Sequence, residues 1–124
     1  MALLSRNDAP IFTLPGIRFT TLASPRRGAR ENAVWEVLVE PGVTGSPHRL
    51  TREETFVALE GSARVEVDGE PHELAAGSAL VVGAGQTLAL SNTASLPFRA
   101  LAVFPVGGQA VIGDGPAFTP PWAA

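Results

Sequence analysis

Apolar and polar residues alternate along most of this chain in short runs that glycine or proline ends. Ala33 to Glu40 sets Trp35, Val37 and Val39 against Glu36, Leu38 and Glu40, so one face of an extended segment is apolar and the other mixed, the pattern of a half-buried strand. Residues 17–22 alternate in the same way and are rich in β-branched types. Further strands are predicted over 48–50, 54–60, 63–68, 72–74, 78–82, 87–91 and 98–105, with one more near Val111. Asp68-Gly69, between the 63–68 and 72–74 runs, is a two-residue hairpin signal. No segment sustains a 3.6-residue apolar period, and glycine or proline interrupts both tempting stretches, Ala23 to Trp35 and Leu74 to Leu80. Eight or nine short strands at this spacing predict an all-β, antiparallel closed sandwich or barrel.

The flanks read differently. Residues 1–16 carry Pro10, Pro15 and Gly16 and are expected as an extended arm whose Ile11, Phe12 and Leu14 need a surface to cover. Residues 17–112 are then the single barrel domain, and 113–124 a coil that lays Phe118 and Trp122 on apolar surface. Ser24 to Asn32 holds three arginines, which fit a solvated loop better than an anion site.

Composition narrows the partners. At 124 residues the chain fits one core, and 45% hydrophobic against 17% charged residues excludes disorder and leaves apolar surface for a subunit interface, so a homodimer is expected. A net charge of -3 without a run of Lys or Arg gives no footprint for nucleic acid or an anionic membrane. There is no cysteine, hence no disulfide, thiolate nucleophile or Cys-based zinc site. The first ten residues hold no apolar run of signal-peptide length, and the expectation is a cytoplasmic protein.

Candidate chemistry concentrates in residues 42–61, where His48 precedes Glu54 by six positions. Gly42, His48, Glu54 and Gly61 reproduce the spacing of a first cupin motif (Gly, five residues, His, one residue, His, three or four residues, Glu, six residues, Gly), with Leu50 at the second histidine position. Gly77, Gly85 and Asn92 fall in register with the second cupin motif, with Gly83 at its proline position and Leu88 at its histidine position. The chain therefore resembles the cupin superfamily, and the resemblance implies a double-stranded β-helix, the jelly-roll barrel. It also implies a three-His, one-Glu metal site, of which only His48 and Glu54 are present. Two protein ligands rarely hold Zn, Fe, Mn or Ni, since catalytic sites use at least three. The expected cofactor is accordingly none, with a divalent metal as the alternative.

Three readings of His48 and Glu54 stay open: a metal half-site, a catalytic acid-base or ligand-binding pair, and a buried hydrogen-bonded remnant. Trp35, Leu50, Phe56, Gln86, Leu88 and Asn92 are the expected contacts of a bound small molecule, and Asn92 is equally placed to cap a turn. The leading expectation is a barrel that binds a small, partly apolar molecule. The alternatives are a metal-dependent dioxygenase or isomerase in which His72 or Gln86 completes the ligand set, and a metal-free isomerase-like enzyme working through His48 and Glu54.

Overall fold

A computed structural model describes residues 1–124 and shows eleven strands with three single-turn 3-10 helices. The strands are β1 (Ile11–Leu14), β2 (Ile17–Ala23), β3 (Asn32–Val39), β4 (His48–Leu50), β5 (Glu54–Glu60), β6 (Ser62–Val67), β7 (Glu70–Ala75), β8 (Ala79–Val82), β9 (Thr87–Ser91), β10 (Phe98–Pro105) and β11 (Ala110–Val111). They form two sheets, ordered β1-β2-β3-β10-β5-β8 and β11-β4-β9-β6-β7, and every pairing is antiparallel. No helix is long and apolar enough to cross a membrane.

The alternation read from the sequence is the alternation of burial. On β10, Phe98, Ala100, Ala102 and Phe104 are buried while Arg99, Leu101 and Val103 are half-buried on the other face. On β3, Ala33, Trp35, Val37 and Val39 turn inward. Val65 and Leu88 answer them from the second sheet, so the core is the space between two inner faces.

Register sets which side chains meet. Ala102 pairs with Trp35 on one side and Phe56 on the other, and Phe104 pairs with Ala33. Glu54 pairs with the buried Val82 on β8 and stands one rung beyond the Val103–Thr55 pair, so its inner-face neighbours are Phe56 along its own strand, Val82 on one side and Phe104 on the other. Tight turns hold this register. Asp68 and Gly69 both sit at positive φ (51° and 80°), the backbone of the expected two-residue hairpin between β6 and β7.

The expected arm at 1–16 is more ordered than its prolines suggest. Pro15-Gly16 closes a hairpin in which Leu14 pairs with Ile17, so residues 11–14 become the edge strand β1. Ahead of it Arg6 reaches back to Glu36 with two hydrogen bonds of 2.8 and 3.0 Å. The tail ends in a 3-10 turn at Pro121–Ala123, where Trp122 stacks on Phe19 with ring centroids 3.7 Å apart and planes 2° from parallel. Thr21 Oγ1 donates to the Trp122 carbonyl at 2.8 Å and fixes that seat.

Candidate functional site

The barrel encloses a cavity of about 470 Å³ at one end, reached between the β1–β2 hairpin, the 43–46 loop and the C-terminal tail. Its walls are mainly apolar. Aromatic side chains from four strands and the tail converge on it: Phe19 and Trp35 from β2 and β3, Phe56 and Phe104 from β5 and β10, and Phe118 and Trp122 from the tail. Leu50, Leu88 and Leu90 close the opposite wall. At the rim, Gly45 donates to the Leu90 carbonyl at 2.8 Å, and a Cβ on Gly45 would collide with that oxygen, so glycine is what lets the loop lie against β9.

Only two of the lining residues titrate, Glu54 and His48. Glu54 is 4% exposed, and no protein group hydrogen-bonds its carboxyl. Desolvation is the one influence on it, and its pKa is pushed up to about 8. It is therefore a neutral carboxylic acid at pH 7, able to donate a proton or a hydrogen bond. His48 Nδ1 lies 3.1 Å from the Ser46 carbonyl, which can only accept. Nδ1 thus carries the hydrogen and Nε2 is left as the acceptor in the neutral ring. Burial lowers the His48 pKa, and the bond to Ser46 opposes that only in part. His48 and Glu54 belong to different sheets, and neither a hydrogen bond nor an ion pair joins them. They are two separate polar points in one apolar chamber.

Of the other expected contacts, Trp35, Leu50, Phe56 and Leu88 line the cavity. Gln86 and Asn92 do not. Gln86 Oε1 accepts from the Gly83 amide at 2.7 Å and its Nε2 donates to Asp68 at 3.3 Å, so its amide ties two loops together outside the cavity. Asn92 is buried and spends all its capacity on backbone, donating to the Val39 and Leu96 carbonyls at 3.0 and 2.9 Å and accepting from the Ala94 amide at 3.0 Å. Its position past the end of β9 turns it away from the face that Leu88 and Leu90 share. His72 is exposed on β7, in an exterior groove with Arg64 and Glu73. Leu90 lines the cavity on the face it shares with Leu88, whereas Phe19 and Trp122 are lining residues that the sequence did not single out. The β-strand alternation of 17–23 carried that signal for Phe19, whereas the seat of Trp122 depends on a tail with no periodicity.

The donors do not fit the metal that the motif spacing implies. No three His, Asp or Glu side chains converge anywhere in the chain. His48 stands directly across from Leu88 on the β4–β9 ladder, and Leu50 is 2% exposed, so aliphatic carbon fills the space in which further imidazoles would stand.

With this geometry in view, comparison with known proteins places the chain. The Cupin_2 cupin-domain family matches residues 35–104, more than half of the sequence. The chain belongs to the cupin family. Among curated proteins, the dimethylsulfoniopropionate lyase DddW of Ruegeria pomeroyi is 39% identical over 67 residues, which cover 53% of this chain and 44% of the lyase. The match thus spans less than half the length of that relative. Among solved structures, the polyketide cyclase RemF from Streptomyces resistomycificus aligns with a TM-score of 0.76 at 21% identity, covering 85% of this chain and 79% of that one. KdgF from Halomonas sp. aligns at 0.71 and 19%, covering 84% and 94%. At such identities these two establish the shared barrel and nothing of its chemistry.

Proposed function

We propose that this cupin binds a small, largely apolar molecule in its barrel without a tightly held metal, and that Glu54 and His48 are the polar groups that orient it. The observation that carries the reading is Leu50 and Leu88 standing beside His48 in the wall of a 470 Å³ apolar cavity, at positions where the cupin pattern has histidines. A concave, mostly apolar chamber with a few convergent polar groups is the usual form of a small-molecule site. Two tryptophans in the wall, Trp35 and Trp122, supply a spectroscopic handle. Titration with a neutral aromatic probe such as 2-naphthol is expected to change their fluorescence with 1:1 stoichiometry. Leu90→Trp, which fills the chamber from β9, is expected to abolish the change. No response of the parent protein, or an undiminished response of the filled variant, would count against the reading.

The opposite displacement of the two pKa values favours a second reading, a metal-free proton-transfer enzyme. Near neutral pH Glu54 is an acid holding its proton and His48 a base lacking one, the protonation states that general catalysis requires. Because no hydrogen bond joins the two side chains, they would act on different atoms of one ligand: His48 Nε2 takes a proton from it while Glu54 returns one elsewhere. The DddW relative is named a lyase, which keeps bond-breaking chemistry in view. A pH–rate profile that loses its alkaline limb in Glu54→Gln is the expected signature.

A homodimer and a cytoplasmic location complete the proposal. The outer face of the six-stranded sheet exposes Leu59 and Val81, which suit a second copy. Sedimentation at micromolar concentration is expected to give twice the monomer mass.

A further inference from the structure

The chamber has a one-sided electrostatic character. Six aromatic side chains face it, no Lys or Arg does, and its one acidic group has no partner of its own. Elsewhere the fold pairs its enclosed acid: Glu36, 6% exposed, is held by both Arg6 and Arg99. Glu54 is more deeply enclosed and is left single. An unpartnered buried carboxyl is costly unless something compensates it. Here the compensating group has room to enter from the chamber, because the carboxyl is part of its wall.

What could enter follows from the neighbours. Glu54 has Phe56 beside it along β5, Phe104 on β10 to one side and Val82 on β8 to the other, with Trp35 one rung away beyond Ala102. Aromatic faces attract cations that carry little hydration, above all alkylated onium groups, and repel anions. His48 presents an unprotonated Nε2 and so adds no positive charge. A small ammonium ion or metal aquo ion would lose too much hydration in such walls, whereas a charge spread over methyl or methylene groups would not.

We propose that the ligand is an organic cation with an apolar body, an alkylated ammonium or sulfonium, seated with its charge against Glu54 and its alkyl groups against Phe56, Phe104 and Trp35. This rests on the small-molecule reading above and adds the charge of the ligand to it. Binding such a cation draws the proton off Glu54, so affinity rises with pH. Among the groups facing Glu54 from β3, β4, β8, β9, β10 and the tail, only His48 titrates, and burial lowers its pKa, which favours the uncharged ring.

The test compares phenyltrimethylammonium with tert-butylbenzene, its uncharged equivalent in shape, by tryptophan fluorescence and calorimetry on the full chain. The expected result is 1:1 binding of the cation, about tenfold or more tighter than the neutral compound. The cation's affinity should climb by up to about tenfold per pH unit between pH 6 and pH 8, with one proton released per cation bound, and then level off. Glu54→Gln should weaken the cation and flatten its pH profile while leaving the neutral compound unchanged. Phe56→Leu, which keeps an apolar wall without an aromatic face, should weaken the cation by a larger factor than the neutral compound, and so serves as an independent check if the first variant folds poorly. Equal or tighter binding of tert-butylbenzene would overturn the cationic ligand and leave the apolar-ligand reading standing. Binding of neither compound would overturn both. Cation binding that is indifferent to pH and to Glu54→Gln would overturn the assignment of Glu54.

Discussion

His48 and Leu88 face each other directly across the β4–β9 ladder, an imidazole against an aliphatic chain. In the cupin pattern both positions are histidines. The parent protein is therefore expected to lose added Zn²⁺ or Ni²⁺ on dialysis. Leu50→His combined with Leu88→His restores four donors and should retain one metal per chain, seen by elemental analysis. Without metal the double variant is expected to be less stable by about 2–5 kcal/mol, because two well-packed leucines are replaced by polar rings, and metal should recover much of that loss. Stoichiometric metal in the dialysed parent would contradict the expectation.

Glu54 makes stability depend on pH in an unusual direction. Its pKa is raised from an ordinary 4.5 to about 8, so the folded protein keeps a proton that the unfolded chain releases. The stability this gives is complete below pH 4.5 and falls as pH rises, at roughly 1.4 kcal/mol per unit until the folded group ionises near pH 8. Glu54→Gln removes that slope. Urea melts at pH 5 and pH 8 are expected to converge for the variant and to differ by several kcal/mol for the parent.

The strand order of burial could be read almost directly from the sequence, because in a sheet the period of two is the period of burial. The motif glycines were legible for a physical reason as well: Gly42, Gly61, Gly77 and Gly85 all adopt φ between 73° and 91°, a backbone that other residues resist. The leucines at 50 and 88 were informative because an aliphatic chain cannot mimic an imidazole. Gln86 and Asn92 were not legible in the same way. Each lies in a loop at the end of β9, where the alternation stops predicting direction and local backbone groups claim the amide first. The edge strand β1 was hidden by Pro10, Pro15 and Gly16, which read as breakers, although Pro15-Gly16 is the turn that makes the hairpin. That Glu54 has no partner is a three-dimensional fact, since it depends on which groups the other sheet brings near.

Asn92→Ala separates a structural amide from a ligand contact. Asn92 satisfies two carbonyls and one amide in the 92–96 turn and against β3. Truncation leaves buried backbone groups unpaired and is expected to cost about 2–4 kcal/mol in chemical denaturation. Affinity for any ligand of the chamber should be unchanged in the folded fraction. A loss of affinity without a loss of stability would place Asn92 in the site.

Phe19 and Trp122 join the tail to the barrel. Their stacked rings, together with the Thr21–Trp122 bond, anchor the segment that carries Phe118 over the chamber. Trp122→Ala is expected to destabilise the protein by about 2–4 kcal/mol and to speed ligand exchange, because the tail loses its anchor. Stopped-flow release of a fluorescent probe measures the second effect, and unchanged release would show that the tail is no barrier.

Glu36 opposes Glu54 in its response to pH. Burial alone pulls its pKa up, but two hydrogen bonds from Arg6 and the charge of Arg6 and Arg99 outweigh this and hold it below the usual carboxylate range. A lowered carboxyl contributes stability that is present above the ordinary value of 4.5 and is lost as pH falls through the folded pKa. Glu36→Gln is expected to cost about 1–3 kcal/mol at pH 6 and to remove part of the acid sensitivity. Arg6→Ala should cost less, below about 1 kcal/mol, since Arg6 is 54% exposed and Arg99 stays in place. The two carboxyls act in adjoining windows, Glu36 below pH 4.5 and Glu54 between 4.5 and about 8, so the parent is expected to be most stable near pH 5. Glu54→Gln should shift that optimum towards neutrality and Glu36→Gln should broaden it on the acid side. An optimum at pH 7 or above in the parent would mean that Glu54 is ionised in the folded protein, and that a cationic partner or solvent already compensates it.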